Sequence, residues 1–308
     1  MRDAVDYILG IDIGGTDVKA AALTLEGRQI DNFLSPTEVS AKDFVLSTKD
    51  LIGKISLKYG GAPLAIGIAS PGLAAKDGRS IAWMQGRMEM IQGVDWTQCL
   101  ASPTLIPVLN DAHAALIGEV WQGAAKDCKD VVMLTLGTGV GGAAMTDGAL
   151  LRGHLGRAGH LGHISLDSGG KLDIVNTPGS LEDAIGNCTI AERSEGRFAD
   201  TEQLVKAFLQ RNEFAVNLWN RTIRDLAAGI ASFINILDPE VVILGGGMIA
   251  AGDALFSLLE IEMNRVEWRP TGSKVRIVAA QLGSFAGAYG AAFHAMKLMN
   301  DDSMGTTD

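Results

Sequence analysis

Four stretches of this chain combine residue types that can do chemistry. The first is DIGGT, residues 12–16, where a carboxylate interrupts an apolar strand. A carboxylate buried there without partners costs several kcal/mol. Asp12 is therefore expected at the end of a sheet, where polar ligands or a metal meet it. Gly14 and Gly15 would let backbone N–H groups approach a phosphate, and Thr16 adds a hydroxyl. The competing reading is a plain hairpin turn, which Gly-Gly also signals. The second stretch is LGTGVGG, residues 136–142, in which Gly137, Thr138 and Gly139 form another candidate phosphate loop. The third is LGGGM, residues 244–248; Gly245, Gly246 and Gly247 follow a strand and open a helix, a suitable place for a nucleotide. The fourth is LND, residues 109–111, where a strand gives way to a helix. Asp111 there is either the helix N-cap or a general base beside Asn110. A hydroxyl is a poor nucleophile, and phosphoryl transfer gains from a carboxylate placed to take its proton.

These patterns also exclude chemistries. No GK[ST] follows any of the glycine runs, so none is a Walker A loop. None fits GxGxxG with an acidic residue on the second strand, which disfavours a nicotinamide fold. Cys99, Cys128 and Cys188 are widely spaced, suit a reducing cytoplasm and offer no CxxC metal pair. A net charge of −10 argues against broad binding of nucleic acid or of anionic membranes. No apolar run reaches membrane-spanning length, and the N-terminal segment meets a glycine turn too early for a signal peptide.

The elements that must position these groups alternate between strand and helix. YILGIDI, the Gly-Gly turn and DVKAAALTL predict a strand hairpin. Ser40 followed by Asp43 resembles a capping box, with a helix from about Lys42 to Tyr59. LAIGIAS is a buried strand ended by Pro71-Gly72; TLIPVLND is a short strand, followed by the helix AHAALIGEV. VVMLTLGTGVGGAAM repeats the strand–glycine turn–strand plan of residues 8–23. Helices are predicted near 201–211 and 214–237, the second carrying the stripe Val216, Trp219, Ile223, Leu226, Ile230, Ile234. EVVILGGGM and KVRIVAA are strands, and a last helix runs from Phe285 to Leu298. The repeat implies two α/β domains of related topology. We divide them as 1–115, completed by the C-terminal helix 285–299, and 116–284, with 300–308 as a disordered tail.

DIGGTDVKAAAL, SPGL, LNDAHAALIGE, LGTGVGGAA, GHLGH, LEDAIG and LDPEVVILGGGM occur in the order and spacing of the ROK family of sugar kinases, which includes bacterial glucokinases. The chain resembles that family over about residues 7–295. The resemblance implies an α/β, two-domain actin-like, RNase H-like ATPase fold, with ATP and sugar meeting in an interdomain cleft. It implies phosphate or nucleotide contacts from Asp12, Gly14, Gly15 and Thr16, from Gly137, Thr138 and Gly139, and from Gly245, Gly246 and Gly247. It gives Asn110 and Asp111 to the sugar, Asp111 as catalytic base, and Gly72 a place beside the sugar. ATP and Mg²⁺ are the implied cofactors, Mg²⁺ lying near Asp12 with the nucleotide. A homodimer and a cytoplasmic location are expected. The acceptor is expected to be a free hexose, at the 6-hydroxyl of glucose or a related sugar. The alternative is a non-catalytic sugar sensor. The family's regulators carry an N-terminal DNA-binding domain, for which a first strand beginning near residue 7 leaves no room. A polyphosphate donor would favour a basic groove, of which this acidic chain gives no sign.

One region departs from the family. It usually has GELGH and then CxCGxxGCxE; here the three cysteine positions are Asp173, Val175 and Ser180, while Gly179 and Glu182 remain. Structural zinc wants four N, S or O ligands, so no structural zinc is expected, and the loop should be held by packing and hydrogen bonds with Pro178 stiffening it. By resemblance His163 and Glu182 face the sugar. His160 stands where a sugar-binding Glu is usual, and it changes which hydroxyls fit, because imidazole can donate or accept; the alternative is a loop histidine facing solvent. His113 and His154 are expected to be structural or exposed. Trp83 is a candidate to stack on a sugar ring, Trp96 a packing residue, and Gln85 a weak stand-in for the family's sugar-binding Asn.

Overall fold

The computed structural model describes residues 5–38, 40–84 and 88–304. In chain order its elements begin with β1 (Ile8–Ile13), β2 (Asp17–Leu23), β3 (Gln29–Pro36), α1 (Ala41–Tyr59), β4 (Ala65–Ser70), β5 (Leu73–Ala74) and β6 (Ile81–Trp83). They continue with α2 (Trp96–Cys99), β7 (Val108–Asn110), α3 (Asp111–Gln122), β8 (Val131–Leu136), β9 (Val140–Thr146) and β10 (Ala149–Leu150). Then come α4 (Leu181–Ile185), α5 (Ile190–Arg193), α6 (Thr201–Leu209), α7 (Glu213–Leu237), β11 (Val241–Gly245), α8 (Asp253–Val266), β12 (Arg276–Ala279) and α9 (Ala286–Met304).

The chain divides into two compact units. One comprises residues 1–127, 152–157 and 281–308, and the other 128–151 and 158–280. The first unit thus keeps all of α3 and the linker after it, rather than ending near residue 115. Glu119 explains this: its buried carboxylate accepts from the N–H groups of Ala124, Gln281 and Leu282 at 2.7–3.1 Å, so the end of α3 is tied to the approach to α9. α9 continues as helix to Met304, into the segment expected to be tail.

Each unit holds a five-stranded sheet, ordered β3-β2-β1-β4-β7 in the first and β10-β9-β8-β11-β12 in the second. In both, an antiparallel hairpin (β1–β2, β8–β9) leads into parallel pairs (β1–β4–β7, β8–β11–β12). The repeated sequence plan is therefore a repeated topology. The central strands are apolar runs because both faces are covered. In the first unit Leu9, Ile11, Ile13 and Ile68 pack against Phe44, Ile55 and Trp96. In the second Val132, Leu134, Val242 and Leu244 pack against Trp219, Ile223, Leu226 and Ile230 of the α7 stripe.

Local chemistry sets the element ends. Ser40 caps α1 as expected, accepting from the Asp43 N–H at 3.1 Å, and Gly60 closes that helix in the left-handed region (φ +74°). On its other face the first sheet meets α9 backbone to backbone. A Cβ on Gly10 of β1 would overlap the Ala288 carbonyl, and one on Gly67 of β4 the Ala291 carbonyl. Gly290 of α9 leaves the same kind of room for the Ala114 carbonyl of α3. Gly10→Ala is expected to destabilise the protein by about 3 kcal/mol or more, because the clash is with helix backbone and not with a movable side chain. Urea unfolding of parent and variant measures it; a change under about 1 kcal/mol would mean that α9 can back away.

Candidate functional site

The candidate residues of the first unit gather at the carboxyl ends of its parallel strands, where open α/β sheets place their ligands. Asp12 is the penultimate residue of β1, Ser70-Pro71-Gly72 leaves β4, and Asn110 ends β7. Register aligns them: Asp12 pairs with Ala69, and Ser70 with Asn110. The Gly-Gly turn is a hairpin turn, closed by the Gly14 N–H on the Asp17 carbonyl at 2.9 Å and braced by Thr37, whose hydroxyl donates to the Gly14 carbonyl at 2.7 Å. A hairpin and a ligand loop are not exclusive here, since the turn sits at the same sheet edge as Asp12 and Asn110. Thr16 is exposed at its tip.

Asn110, not Asp111, caps α3. Its side-chain oxygen accepts from the N–H groups of Ala112 and His113 at 3.0 and 3.2 Å, and its amide donates to the Gly72 carbonyl at 3.0 Å. Gly72 adopts φ +98°, and a Cβ there would lie 2.7 Å from the Trp83 carbonyl oxygen. The cap thus relieves Asp111 of that duty and leaves it exposed on the first helical turn, its Oδ1 accepting from the Ala112 N–H at 2.8 Å. Asp111 also acts electrostatically on Asp12. Burial, then the Asp111 charge, push the Asp12 carboxyl up to about 7, while Lys19 pulls it back down. Lys19 lies directly across the hairpin from Asp12. Sequence reasoning passed over it, although 12 and 19 are equidistant from the turn centre and so had to face each other. A divalent cation would suit this spot, since positive charge beside Asp12 favours its ionised form.

In the second unit the other two glycine clusters meet at the ends of β8 and β11. Gly246 (φ +85°) packs on the backbone of Leu136, where a Cβ would overlap it. The Gly137 N–H bonds the Gly139 carbonyl at 3.0 Å. The Gly137 and Thr138 carbonyls accept from the N–H groups of Asn187 and Cys188 at 3.1 and 2.7 Å. Glu182 belongs to this turn: its Oε2 accepts from the Val140 N–H at 2.9 Å and fills the space that a side chain on Gly139 would need. Ser180, fully buried, caps α4 and so places Glu182 in its first turn.

The loop that follows His163 is built around Asp173. Its Oδ1 accepts from the N–H groups of Val175 and Thr177 at 2.9 and 2.8 Å, and its Oδ2 faces His163 Nδ1 at 2.8 Å. Burial alone would raise its carboxyl; the bonds from Thr177, His163, Val175 and the Ser180 hydroxyl outweigh burial and hold it below the ordinary range. Among the described residues no three His, Cys, Asp or Glu side chains converge to hold a metal ion. His160 is half-buried at the entry to the short turn Leu161–His163. His113 is buried and His154 exposed; Trp96 is fully buried, whereas Trp83 is 49% exposed. Gln85 lies outside the described residues. No helix among the described residues is long and apolar enough to cross a membrane.

The sequence model of the ROK family matches residues 8–297, and the chain belongs to that family. It is 30% identical to a glucokinase of Thermotoga maritima, over 92% of this chain and 96% of that protein. The ROK hexokinase of Thermus thermophilus superposes with a TM-score of 0.85 at 27% identity, covering 96% of this chain and 99% of that one. A ROK family glucokinase from Streptomyces griseus in complex with glucose and AMPPNP superposes with a TM-score of 0.78 at 26% identity, over 94% and 99% of the two chains. The fold is thus the two-domain α/β fold of actin-like ATPases.

Linkage gives a stability prediction for Asp12. Its folded-state pKa, about 7, lies above the unfolded 3.8. The folded protein therefore binds the extra proton between those values, and stability falls as pH rises through that window. Asp12→Asn removes the titrating group. Between about pH 4 and pH 8 the melting temperature of the ligand-free parent is expected to drop relative to the variant's, by several degrees. Parallel melting curves across that range would contradict the assignment.

Proposed function

We propose that the protein is an ATP-dependent sugar kinase that phosphorylates a free hexose, at the 6-hydroxyl of glucose or a closely related sugar, with Asp111 as general base. The observation that carries this reading is the division of labour at the start of α3. Asn110 caps the helix, and an exposed carboxylate stands beside it at the sheet edge where Asp12 and the first glycine turn also lie. In a ROK chain with glucokinase relatives, an exposed carboxylate at that edge is placed to take a proton from a hydroxyl.

In the proposed reaction Asp111 accepts the proton of the attacking hydroxyl, whose oxygen forms the new bond to the γ-phosphorus as the bond to the β-phosphate oxygen breaks and ADP leaves. The proton later passes from Asp111 to solvent. Gly72, Asn110, His160, His163 and Glu182 bind the sugar. Asn110 has already committed its oxygen and one amide hydrogen, so it offers the substrate one remaining donor. Backbone at Gly14, Gly15 and Thr16, at Gly137, Thr138 and Gly139, and at Gly245, Gly246 and Gly247 holds the nucleotide. Asp12 would hold Mg²⁺, directly or through water, and the cation would offset phosphate charge.

ADP release with Mg-ATP over a panel of hexoses, hexosamines and N-acetylated sugars tests the reading. One sugar is expected to give strong turnover. Asp111→Asn, which keeps the shape and the hydrogen bond to Ala112, should lower kcat by about 10²- to 10⁴-fold with little change in stability. A folded Asp111→Asn protein with parental kcat would remove the base. Sugar binding without turnover on any sugar would favour the sensor.

A further inference from the structure

We propose that Asp173 is a positioning residue. It fixes the proton of His163 on Nδ1 and thereby presents Nε2 as a hydrogen-bond acceptor to one hydroxyl of the sugar. The second half of this claim rests on the kinase reading above; the first half does not.

The geometry is specific. The Asp173 side chain is fully buried, and the His163 ring is 22% exposed, with Nδ1 turned inward to Asp173 Oδ2. A carboxylate held in its ionised form accepts hydrogen bonds only. The bond at 2.8 Å therefore requires the proton on His163 Nδ1, and in the neutral ring that leaves Nε2 as the acceptor. Asp173 cannot swing away to free the ring, because its other oxygen is pinned by the N–H groups of Val175 and Thr177. The backbone under His163 is equally fixed. A Cβ on Gly162 would overlap the Val140 carbonyl, and the N–H of that same Val140 holds Glu182. The histidine, Glu182 and the second glycine turn are thus locked together within one unit.

The residues present do not fit the zinc that the family's cysteine motif would hold. Val175 has no donor atom, and Ser180 spends its hydroxyl on Asp173 and on the Asp183 N–H. Nδ1 of His163 carries a proton where a metal needs a lone pair. Asp173 orients the ring in a way that a metal would otherwise serve, much as a buried carboxylate sets the tautomer of a catalytic imidazole.

Asp173→Asn is the informative change. Its oxygen can still accept from Val175 and Thr177, so the loop keeps its turns, but its NH₂ now faces His163 Nδ1. That forces the proton to Nε2 and turns an acceptor into a donor. The experiment pairs ¹⁵N spectra of histidine-labelled protein at about pH 8.5, where imidazoles are neutral, with steady-state kinetics on the best hexose and its monodeoxy analogues. His163 is assigned by its absence in His163→Gln. The expected result is an Nδ1–H tautomer in the parent and Nε2–H in Asp173→Asn. KM for the sugar should rise about 10- to 100-fold while kcat changes little, and on one monodeoxy sugar the two proteins should be equal. An Nε2–H tautomer in the parent overturns the proposal, and so does one equivalent of zinc whose removal by a chelator abolishes activity. A switched tautomer with unchanged KM on every sugar overturns the sugar contact. If Asp173→Asn fails to fold, the parent's tautomer decides the positioning half. If the parent turns over no sugar, the kinase reading fails and the sugar half falls with it, while the tautomer comparison still decides the first half.

Discussion

The first unit depends on a helix that meets its sheet backbone to backbone at two glycines. α9 lies across β1 and β4 at Gly10 and Gly67, and against α3 at Gly118 and Gly290, each a place where a methyl group would overlap main chain. Packing this close maximises dispersion contacts and leaves no slack for side-chain adjustment. It also fixes the chemistry. Gly287 of the same helix leaves its Cβ space to the Asp12 carboxyl, where an added Cβ would stand 2.7 Å from it. The approach that holds the helix to the sheet thus also covers one side of Asp12. Burial first, and then the Asp111 charge, raise that carboxyl.

The second constraint is the repeated sheet. A hairpin followed by parallel strands ends every parallel strand at one edge, where backbone N–H groups and carbonyls have run out of ladder partners. In the first unit these ends are met by Asp12, the glycine turn and the Asn110 cap; in the second, by two glycine clusters in mutual contact and by Glu182. Glycines do two jobs here. Some let backbone approach backbone, and at Gly139 the vacated space is taken by a carboxylate from α4 instead.

Local features were the ones legible in the sequence. The strand–turn–strand repeat, the Ser40 cap and the α7 stripe are set by neighbours along the chain, and each stands where its pattern put it. Gly10 and Gly67 carry no such mark. A glycine inside an apolar strand says that something comes close, not that the something is α9, more than two hundred residues away. At the candidate site the residue types were legible and their allegiances were not. Asn110 and Asp111 both suit a cap, and only the hydrogen bonds to Ala112 and His113 show which one caps. Glu182 gives no sign in the sequence of its bond to Val140, which ties it to the second glycine turn. Asp173 gives no sign in the sequence of its two backbone partners.

That last case shows how a loop can be held by one charge. Asp173, Val175 and Ser180 bring a carboxylate, an alkyl chain and a hydroxyl together. The hydroxyl and the backbone of the alkyl residue both donate to the carboxylate, which also receives His163. A buried negative charge left alone would be costly. With four donors around it, two of them main-chain N–H groups, the charge is stabilised where it stands and organises the loop. The support is therefore electrostatic and internal to the chain. Its direction is fixed by an acceptor-only group, so the one freedom left to His163 is what its outer nitrogen meets. The polarity of that imidazole is thus imposed by the fold before any ligand arrives.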